Sequence, residues 1–425
     1  MIRRDDVGQS AYELIEELYP ICRSITGDGV RQTLDRLCNV VPLQVHEVPS
    51  GTRVLDWLVP DEWNIRDAWI KDDQGNRVVD FRSHNLHVVN YSEPIQRVVS
   101  RTELLEHVHS LPDHPDWIPY RTAYYKRDWG FCVSQRQLDS LKQSQYEVCI
   151  DSSLEPGHLT YGEVYLPGES ERELVISSHV CHPSLCNDNL SGVCIAILLA
   201  QHWSKLPRRL SLRFLFAPGT IGAITWLARN RDQLDRILGG VTLTCLGDKS
   251  PFTYKRSWVG DSTIDRAAER SLKTSPYEHK CIDFFPYGYD ERQYNSPAFR
   301  LPFGSLMRAR HQQFDEYHTS ADDLSFIDPT HLQQSYDLLN QLIQDLQNSH
   351  YFRNAAGEAE PQLGRRGVFP SLNGDADLQM AALWTLNLSD GNNSLVDVAE
   401  RSNMPISLIE QAAKILNRFD LLMEV

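Results

Sequence analysis

Three apolar runs separated by helical stretches constrain the fold of residues 146–350 more than any other feature. The runs are Glu173–Ser178, Leu210–Phe216 and Val241–Leu246. The stretches that favour helices are 190–205, 221–237, 260–272 and 331–348. Each run has the length of a buried strand, and strands that alternate with helices are typical of α/β architecture. The sequence therefore predicts a mostly parallel sheet flanked by helices.

Residue types that bind metals crowd the crossover after the first run. This segment, Ser178–Gly192, contains His179, His182 and Asp188. Ligands of open α/β sheets bind beyond the carboxyl ends of the strands, and imidazoles and carboxylates are good zinc ligands. Taken alone, Asp188 could equally be a helix cap.

Two further segments bring similar residues to the same predicted edge. The third run leads to Asp248, and His318 lies in a loop before the last helix of the region. If the sheet forms as predicted, His182, Asp188, Asp248 and His318 can converge there. Carboxylates and imidazoles that lose water need a compensating charge, and a metal ion supplies it.

The regions on either side have a different texture. Residues 8–40 show helical periodicity, whereas 41–130 combine short apolar runs with turn signals. Gln74–Asn76, between two β-rich runs, predicts a hairpin. This part is rich in tryptophan and tyrosine, which can either pack a thin core or line a ligand cleft.

The C-terminal part reads as a separate small domain. A polar segment at 353–367 predicts a linker, and three helical segments near 376–387, 394–402 and 405–418 follow it, with an apolar tail. That order is typical of a winged helix-turn-helix. Residues 361–425 hold five basic and eight acidic side chains. Because a DNA reader needs basic residues on its recognition helix, we expect a packing or protein-contact role and no nucleic acid.

Charge and hydropathy limit the class of protein. The chain has 42 lysines and arginines against 57 aspartates and glutamates, a net charge of −15, which argues against a general grip on phosphate backbones. We find neither a run of about 18 apolar residues nor a secretory signal, so we expect a cytoplasmic protein without a membrane segment. The nine cysteines are scattered and contain no Cys-x-x-Cys pair, so a disulfide framework is not expected. A homo-oligomer is possible.

An ordered set of motifs resembles a known family. CHPSLCNDNLSG, APGTIGAITWL, LGD, YDERQYNSPAFRLP and EYHTSADD are similar to a bacterial aminopeptidase-like family related to the co-catalytic zinc aminopeptidases and glutaminyl cyclases. DWLVPDEWNIRDAWI, NLHVVNYSEP and IPYRTAYYKRDWGFC match the same family. The resemblance implies an aminopeptidase-like α/β domain over 1–44 and 131–350, a β-rich insertion over 45–130, and a winged helix over 361–425.

The resemblance also implies one or two zinc ions and their ligands. Asp188 would bridge two metals, Asp248 and His182 would complete the shell of one, and His318 would bind the other. His179 competes with His182 for the histidine role, and His182 is preferred because Cys-His-Pro is the steadier feature of the family.

The sequence departs from the family at Gly219, where the related motif has glutamate. That glutamate corresponds to the general base or to a metal ligand of the aminopeptidases, and peptide hydrolysis needs such a group. Glu291 or Glu316 could replace it. If the site is otherwise intact, we expect Gly219→Glu to raise activity.

Three more residues are candidates beside the substrate. Arg292, with Asp290, is expected to bind substrate, although Arg292 could instead form an ion pair with Asp290 or Glu291. Tyr317 could stabilise a developing oxyanion or simply pack. Together with Glu291, it completes the predicted catalytic set.

The sequence thus predicts a metal-dependent hydrolase that cleaves an amide bond in a small peptide or aminoacyl metabolite. Two alternatives stay open because of Gly219. The chain could be a degenerate metal-binding scaffold, or the same site could serve amide transfer or cyclisation in a biosynthetic pathway.

Overall fold

The computed structural model describes residues 6–372 and 374–425, and its largest element is an eight-stranded sheet. The strands, in chain order, are β1 (Gln44–Pro49), β2 (Arg53–Val54), β3 (Trp57–Leu58), β4 (Glu62–Lys71), β5 (Arg77–Asp80), β6 (Ile95–Ser100), β7 (Val108–His109), β8 (Phe131–Cys132), β9 (Gln145–Glu155), β10 (His158–Leu166), β11 (Ser170–His179), β12 (Leu210–Ala217), β13 (Ile237–Leu243), β14 (Phe252–Lys255), β15 (His279–Ile282), β16 (Phe303–Met307), β17 (Tyr351–Asn354), β18 (Asp390–Ser394) and β19 (Leu422–Glu424). The helices, in chain order, are α1 (Val7–Leu18), α2 (Asp28–Cys38), α3 (Arg101–Glu106), α4 (Gln135–Ser140), α5 (Gly192–Trp203), α6 (Ile221–Arg229), α7 (Thr263–Thr274), α8 (Glu291–Tyr294), α9 (Pro329–Asn348), α10 (Val368–Ser371), α11 (Ala376–Leu388), α12 (Leu395–Ser402) and α13 (Ile406–Arg418).

The large sheet has the order β1-β10-β12-β11-β13-β16-β14-β15. Its centre is parallel: β11 pairs in parallel with β12 and β13, and β13 does so with β16. Antiparallel pairs flank this centre, with β10 beside β12 and β14 beside β16. The predicted α/β architecture is confirmed, and the carboxyl ends of the parallel strands meet at one edge.

The residues of the three apolar runs are all buried, as are those of β14 and β16. All residues of β12 and β13 are buried, as expected for strands covered on both faces. Leu174 and Ile176 of β11 face the core that α1, α5 and α9 complete, whereas Val175 faces the core that contains α6. The predicted helix 221–237 ends earlier, at Arg229, where the Asn230 side chain donates to the Trp226 carbonyl at 2.8 Å.

The β-rich part is built around a second sheet with the order β5-β4-β9-β6. The hairpin predicted at Gln74–Asn76 joins β4 to β5, and the Asp72 carboxylate accepts the backbone N–H groups of Gln74 and Asn76. The central strand β9 lies beyond residue 130, so the chain that forms this sheet extends past the boundary expected from the sequence. The domain bounds themselves stay a prediction.

The C-terminal helices form the predicted winged helix, with a sheet of order β18-β17-β19. Strand β17 overlaps the start of the segment expected to be a linker. The local sequence does not indicate this strand, because its pairing partners are about 40 and 70 residues away in sequence. The domain is tied to α7 by Asp397, whose carboxylate contacts Arg266 at 2.9 Å and Arg270 at 2.8 Å.

Among residues 6–372 and 374–425, no helix is both long and apolar enough to cross a membrane.

Candidate metal centre

The crossover after β11 places two imidazoles against one carboxylate. His179 is the last residue of β11, and its Nε2 lies 3.0 Å from Oδ1 of Asp188. His182 follows in the loop, with Nδ1 3.4 Å from Oδ2 of the same carboxylate. All three side chains are buried. The two histidines that the sequence left as alternatives are therefore both present in the cluster.

A third imidazole comes from the loop before α9. Nε2 of His318 lies 3.1 Å from Oδ2 of Asp188. His318 has a left-handed backbone with φ of 56°, which costs a non-glycine residue about 1–3 kcal/mol. The β-rich part holds this conformation, because the Tyr120 N–H donates to the His318 carbonyl at 2.7 Å.

Hydrogen bonds fix the backbone that carries Asp188. The Asp322 carboxylate accepts the N–H of Asn187 at 2.6 Å and that of Asp188 at 2.9 Å. Burial raises the pKa of Asp322 to about 8, against these two hydrogen bonds. A fully buried guanidinium, that of Arg23, donates to the His182 carbonyl at 2.8 Å. The loop is therefore rigidly positioned from both sides.

The electrostatics of the cluster follow from one buried anion among imidazoles. Burial lowers the pKa of His179 to about 4 and also lowers the pKa of His318. Burial alone would lower the pKa of His182 too, but Asp188 and the Cys181 sulfur raise it well above its ordinary value. Burial opposes ionisation of Asp188, yet its neighbours, His182 foremost, hold its pKa well below the usual range. The carboxylate stays ionised and needs positive charge beside it.

This donor set fits a divalent metal ion. Ligand atoms of His179, His182 and Asp188 lie within 4.8 Å of one another, and His318 contacts the same carboxylate. Nε2 of His182 lies 3.3 Å from the Tyr289 hydroxyl, and its Nδ1 donates to the Asp188 carbonyl at 3.0 Å. Metal-binding histidines commonly use their second nitrogen in this way. Imidazoles and carboxylates are common zinc ligands, and three such ligands with one open position are typical of catalytic zinc.

Asp248, a predicted ligand, lies outside this cluster. Its carboxylate accepts hydrogen bonds from the Asn187 side chain at 2.9 Å and from the backbone N–H of Ser250 at 2.7 Å. The reason is geometric, since β13 ends at Leu243 and Thr244 already stands at the cluster, 3.4 Å from Oδ1 of Asp188. Asp248 comes four residues later and braces the loop instead.

Glu291, predicted to be catalytic, is occupied by other contacts. It forms a close, fully buried ion pair with Lys255 and accepts the Tyr289 N–H at 2.9 Å. Burial alone would raise the pKa of Glu291, but Lys255 lowers it overall. The ammonium of Lys255 also donates to the Tyr287 carbonyl at 2.9 Å. This ion pair therefore shapes the loop that carries Tyr289.

The other predicted residues surround this loop. Asp290 is buried, and its Oδ1 has no hydrogen-bond partner among the described residues. Burial raises the pKa of Asp290 well above its ordinary range. Among the described ion pairs, none joins Arg292 to Asp290 or to Glu291. The Tyr317 ring stacks on His318 with centroids 4.0 Å apart, so it supports that ligand directly.

Tyr289 fills the space that a side chain at Gly219 would need. A Cβ at Gly219 would lie 1.9 Å from Cε1 of Tyr289 and 2.8 Å from its Oη. The Tyr289 ring packs on His179 with centroids 4.0 Å apart, and its hydroxyl lies 3.3 Å from Nε2 of His182. The glutamate of the related motif is thus replaced by a phenol that reaches the cluster from another loop.

Sequence reasoning missed His311, which stands at the edge of the cluster. Its Nε2 lies 3.3 Å from Oγ1 of Thr244, and it can share a metal site with Asp188 and Cys245. The signal available was its position seven residues before His318 in the same loop. Burial lowers the pKa of His311 and keeps it neutral at pH 7.

Two family models match the chain in succession. One, described as "Domain of unknown function (DUF4910)", matches residues 12–349, and one described as a winged helix-turn-helix matches 350–424. A Clostridium acetobutylicum protein is 48% identical over 420 residues, which are 98% of this chain and 96% of the relative. Its provisional name is polysaccharide biosynthesis protein with aminopeptidase-like domain.

Solved structures extend the comparison. The crystal structure of a provisionally named peptidase from Clostridium acetobutylicum matches with a TM-score of 0.84 and 47% identity, covering 99% of this chain and 98% of the other. A zinc aminopeptidase from Bacillus subtilis matches with a TM-score of 0.59 and 11% identity, covering 81% of this chain and 95% of the other. The second match shows likeness of fold alone, and it confirms the aminopeptidase-like fold predicted from the motifs.

Proposed function

The chain belongs to the family described as Domain of unknown function (DUF4910), and we propose that it is a metal-dependent hydrolase of an amide bond. The substrate class is a small peptide or an aminoacyl metabolite. One observation carries the proposal: three imidazoles surround the buried carboxylate of Asp188 at the carboxyl ends of the parallel strands. In open α/β sheets, ligands bind at that edge.

We propose zinc as the metal, with His179, His182, Asp188 and His318 as the residues that would hold it. A zinc ion that keeps one coordination position open among these side chains would polarise a carbonyl and lower the pKa of a bound water to near 7. The number of ions stays one or two: Asp248 is engaged elsewhere, but Asp188 belongs both to this group and to a second one with Cys245 and His311.

The chain's own residues supply orientation and a proton. Burial raises the pKa of the Tyr289 phenol well above its ordinary value near 10, so its Oη keeps a proton at neutral pH and can donate it in a hydrogen bond to developing negative charge. Tyr120 and Tyr317 pack against His318, at centroid distances of 5.0 and 4.0 Å, and orient its ring. In this proposal Tyr289 fills the space beside Gly219, but its protonated phenol does not take over the task of the absent glutamate, which is to accept a proton from water.

Hydrolysis of aminoacyl 4-nitroanilides by the full chain loaded with zinc tests the proposal. Release of 4-nitroaniline by the wild type and its loss in Asp188→Asn would support the assignment. If the zinc-loaded wild type hydrolyses none of a panel covering acidic, basic, apolar and small residues, the hydrolase proposal fails.

A second candidate follows from two observations taken together. The related protein from Clostridium acetobutylicum is named for polysaccharide biosynthesis, and Gly219 removes the group expected to take a proton from water. The same site could then transfer or cyclise an amide in a biosynthetic pathway. Product analysis by mass spectrometry separates the two, because transfer adds the acceptor's mass where hydrolysis adds water. A zinc-free wild type would instead favour a scaffold.

We propose a packing role for the winged helix. Strand β18 of this domain contacts the large domain at Asn392, whose carbonyl accepts hydrogen bonds from the side chains of Thr263 at 2.6 Å and Arg266 at 3.2 Å. Its acidic balance also disfavours nucleic acid. We expect that the chain does not bind random duplex DNA at any salt concentration.

A further inference from the structure

A cavity lies beside the candidate metal centre, between the loop after β15 and the loop after β16. Its volume is about 260 Å³. The residues that decide its character are Lys255, Phe285, Tyr287, Arg310, His311 and Gln312. Drug-sized ligands occupy roughly 300–1,000 Å³. The cavity is therefore suited to a single side chain or a small acidic group.

The charged atoms at this cavity are cationic. No aspartate or glutamate of the described residues lines it. Lys255 is neutralised by its ion pair with Glu291, which lies behind it. Arg310 is different, since the part of the chain that the structure describes offers it no carboxylate within 4 Å. Its guanidinium lies 5.7 Å from the centroid of the Phe285 ring, and Arg310 also lines a second cavity that contains Glu278.

The cavity is joined to the metal centre by one side chain. His311 lines the cavity, and its Nε2 lies 3.3 Å from Oγ1 of Thr244. Thr244 in turn lies 3.4 Å from Oδ1 of Asp188. A group bound in the cavity is therefore connected to Asp188 through the side chains of His311 and Thr244.

We propose that this cavity binds an anionic group of the substrate, a carboxylate or a phosphate, through Arg310. The inference rests on the proposed function, because it makes the substrate an amide with acidic character close to the bond that is cleaved. An unpaired guanidinium presents several donors in a planar fork that suits either anion. The amides of Gln312 and Gln313, which also line the cavity, can add neutral donors.

Binding separates this proposal from the hydrolase proposal. Isothermal titration calorimetry on the zinc-loaded chain would compare L-glutamate, O-phospho-L-serine and L-glutamine. We expect at least one acidic probe to bind about tenfold or more tightly than L-glutamine, since hydrogen bonds to charged groups are the strong ones. Tighter binding of O-phospho-L-serine identifies phosphate as the preferred anion, and tighter binding of L-glutamate identifies carboxylate.

The matched variants are Arg310→Gln and Lys280→Gln. Lys280 is an exposed cation that lines a second cavity on the other side of Arg310, so it controls for loss of one positive charge nearby. Arg310→Gln should abolish the acidic preference, and Lys280→Gln should keep it. Equal binding of all three probes by the wild type, or an equal loss in both variants, would overturn the proposal.

Hydrolysis supplies the second arm, with glutamyl and glutaminyl 4-nitroanilides as substrates. If neither is cleaved but acidic probes bind through Arg310, the anionic site stands and the hydrolase proposal fails. If both are cleaved equally and Arg310→Gln changes neither, the hydrolase proposal stands and the anionic site is refuted.

Discussion

A methyl group at Gly219 should destabilise the protein, because Tyr289 already occupies the adjacent space. The added Cβ would lie 1.9 Å from Cε1 and 2.6 Å from Cζ of the Tyr289 ring. The ring cannot retreat freely, since it packs on His179 and its hydroxyl contacts Cys181 at 3.4 Å and His182 at 3.3 Å. An added Cβ would therefore push the Tyr289 ring against His179 and His182 of the candidate metal centre.

The magnitude follows from two opposing effects. Overpacking a close-packed site typically costs about 1–3 kcal/mol. Replacing glycine by alanine gains about 0.4–1 kcal/mol by restricting the unfolded chain, because Gly219 has no positive φ. The net expectation for Gly219→Ala is a loss of about 1–2 kcal/mol. For a domain of more than 250 residues that lowers Tm by roughly 1–3 °C.

A double-mutant cycle measures the coupling by thermal or urea unfolding. In the Tyr289→Ala background the same Gly219→Ala change should be neutral or slightly stabilising. In the Tyr289→Phe background the full penalty should remain, because the nearest ring atom is a carbon that phenylalanine keeps. An equal cost of Gly219→Ala in all three backgrounds would refute the reasoning.

The same geometry changes an expectation from the sequence. Gly219→Glu was expected to raise activity, but the larger side chain needs the volume that Tyr289 fills. We now expect the single variant to lose stability and zinc. Only Gly219→Glu combined with Tyr289→Ala provides room for the carboxylate, and a gain of activity in the single variant would contradict this account.

Three further outcomes are expected. Burial lowers the pKa of His84 in the folded state to about 4, against 6.5 for a free histidine. Because the unfolded state binds the proton more readily, the free energy of unfolding falls by up to about 3 kcal/mol as pH falls from 6.5 toward 4. Urea titrations from pH 4 to 7 should show this slope in the wild type and less of it in His84→Gln. Asp397→Asn should cost roughly 2–4 kcal/mol by removing the buried partner of Arg266 and Arg270, measured as earlier unfolding of the winged helix by calorimetry; unchanged unfolding would refute it. Asp322→Ala should weaken zinc binding about 10–100-fold in a competition titration, because it leaves the Asp188 N–H unpaired, and unaltered affinity would deny it a positioning role.

Local pattern was sufficient to predict the sheet and the loop after β11. Continuous apolar runs indicate strands buried on both faces, and the order of motifs fixes which strand end carries His179, His182 and Asp188. These features depend on neighbours in sequence. The mostly parallel centre follows once the helices between strands are recognised.

The rest depends on contacts between distant parts of the chain. Glu291 seemed available until the fold placed Lys255 beside it, 36 residues earlier in sequence. Asp248 was expected to be a ligand because the sequence does not indicate that Thr244, four residues earlier, is the residue that reaches the cluster. Residues 353–354, at the end of strand β17, were expected to be linker because the pairing partners of this strand lie far along the chain.

Zinc content per chain, by elemental analysis of full-length protein purified without chelator, tests the central claim most directly. We expect one or two zinc ions in the wild type, none in Asp188→Asn, and the wild-type content in Asp248→Asn, with folding of each variant checked by circular dichroism. No zinc in the wild type, even after zinc is added, would contradict the metal centre. If folded Asp248→Asn loses zinc as completely as Asp188→Asn does, the assignment of the metal centre to His179, His182, Asp188 and His318 is contradicted.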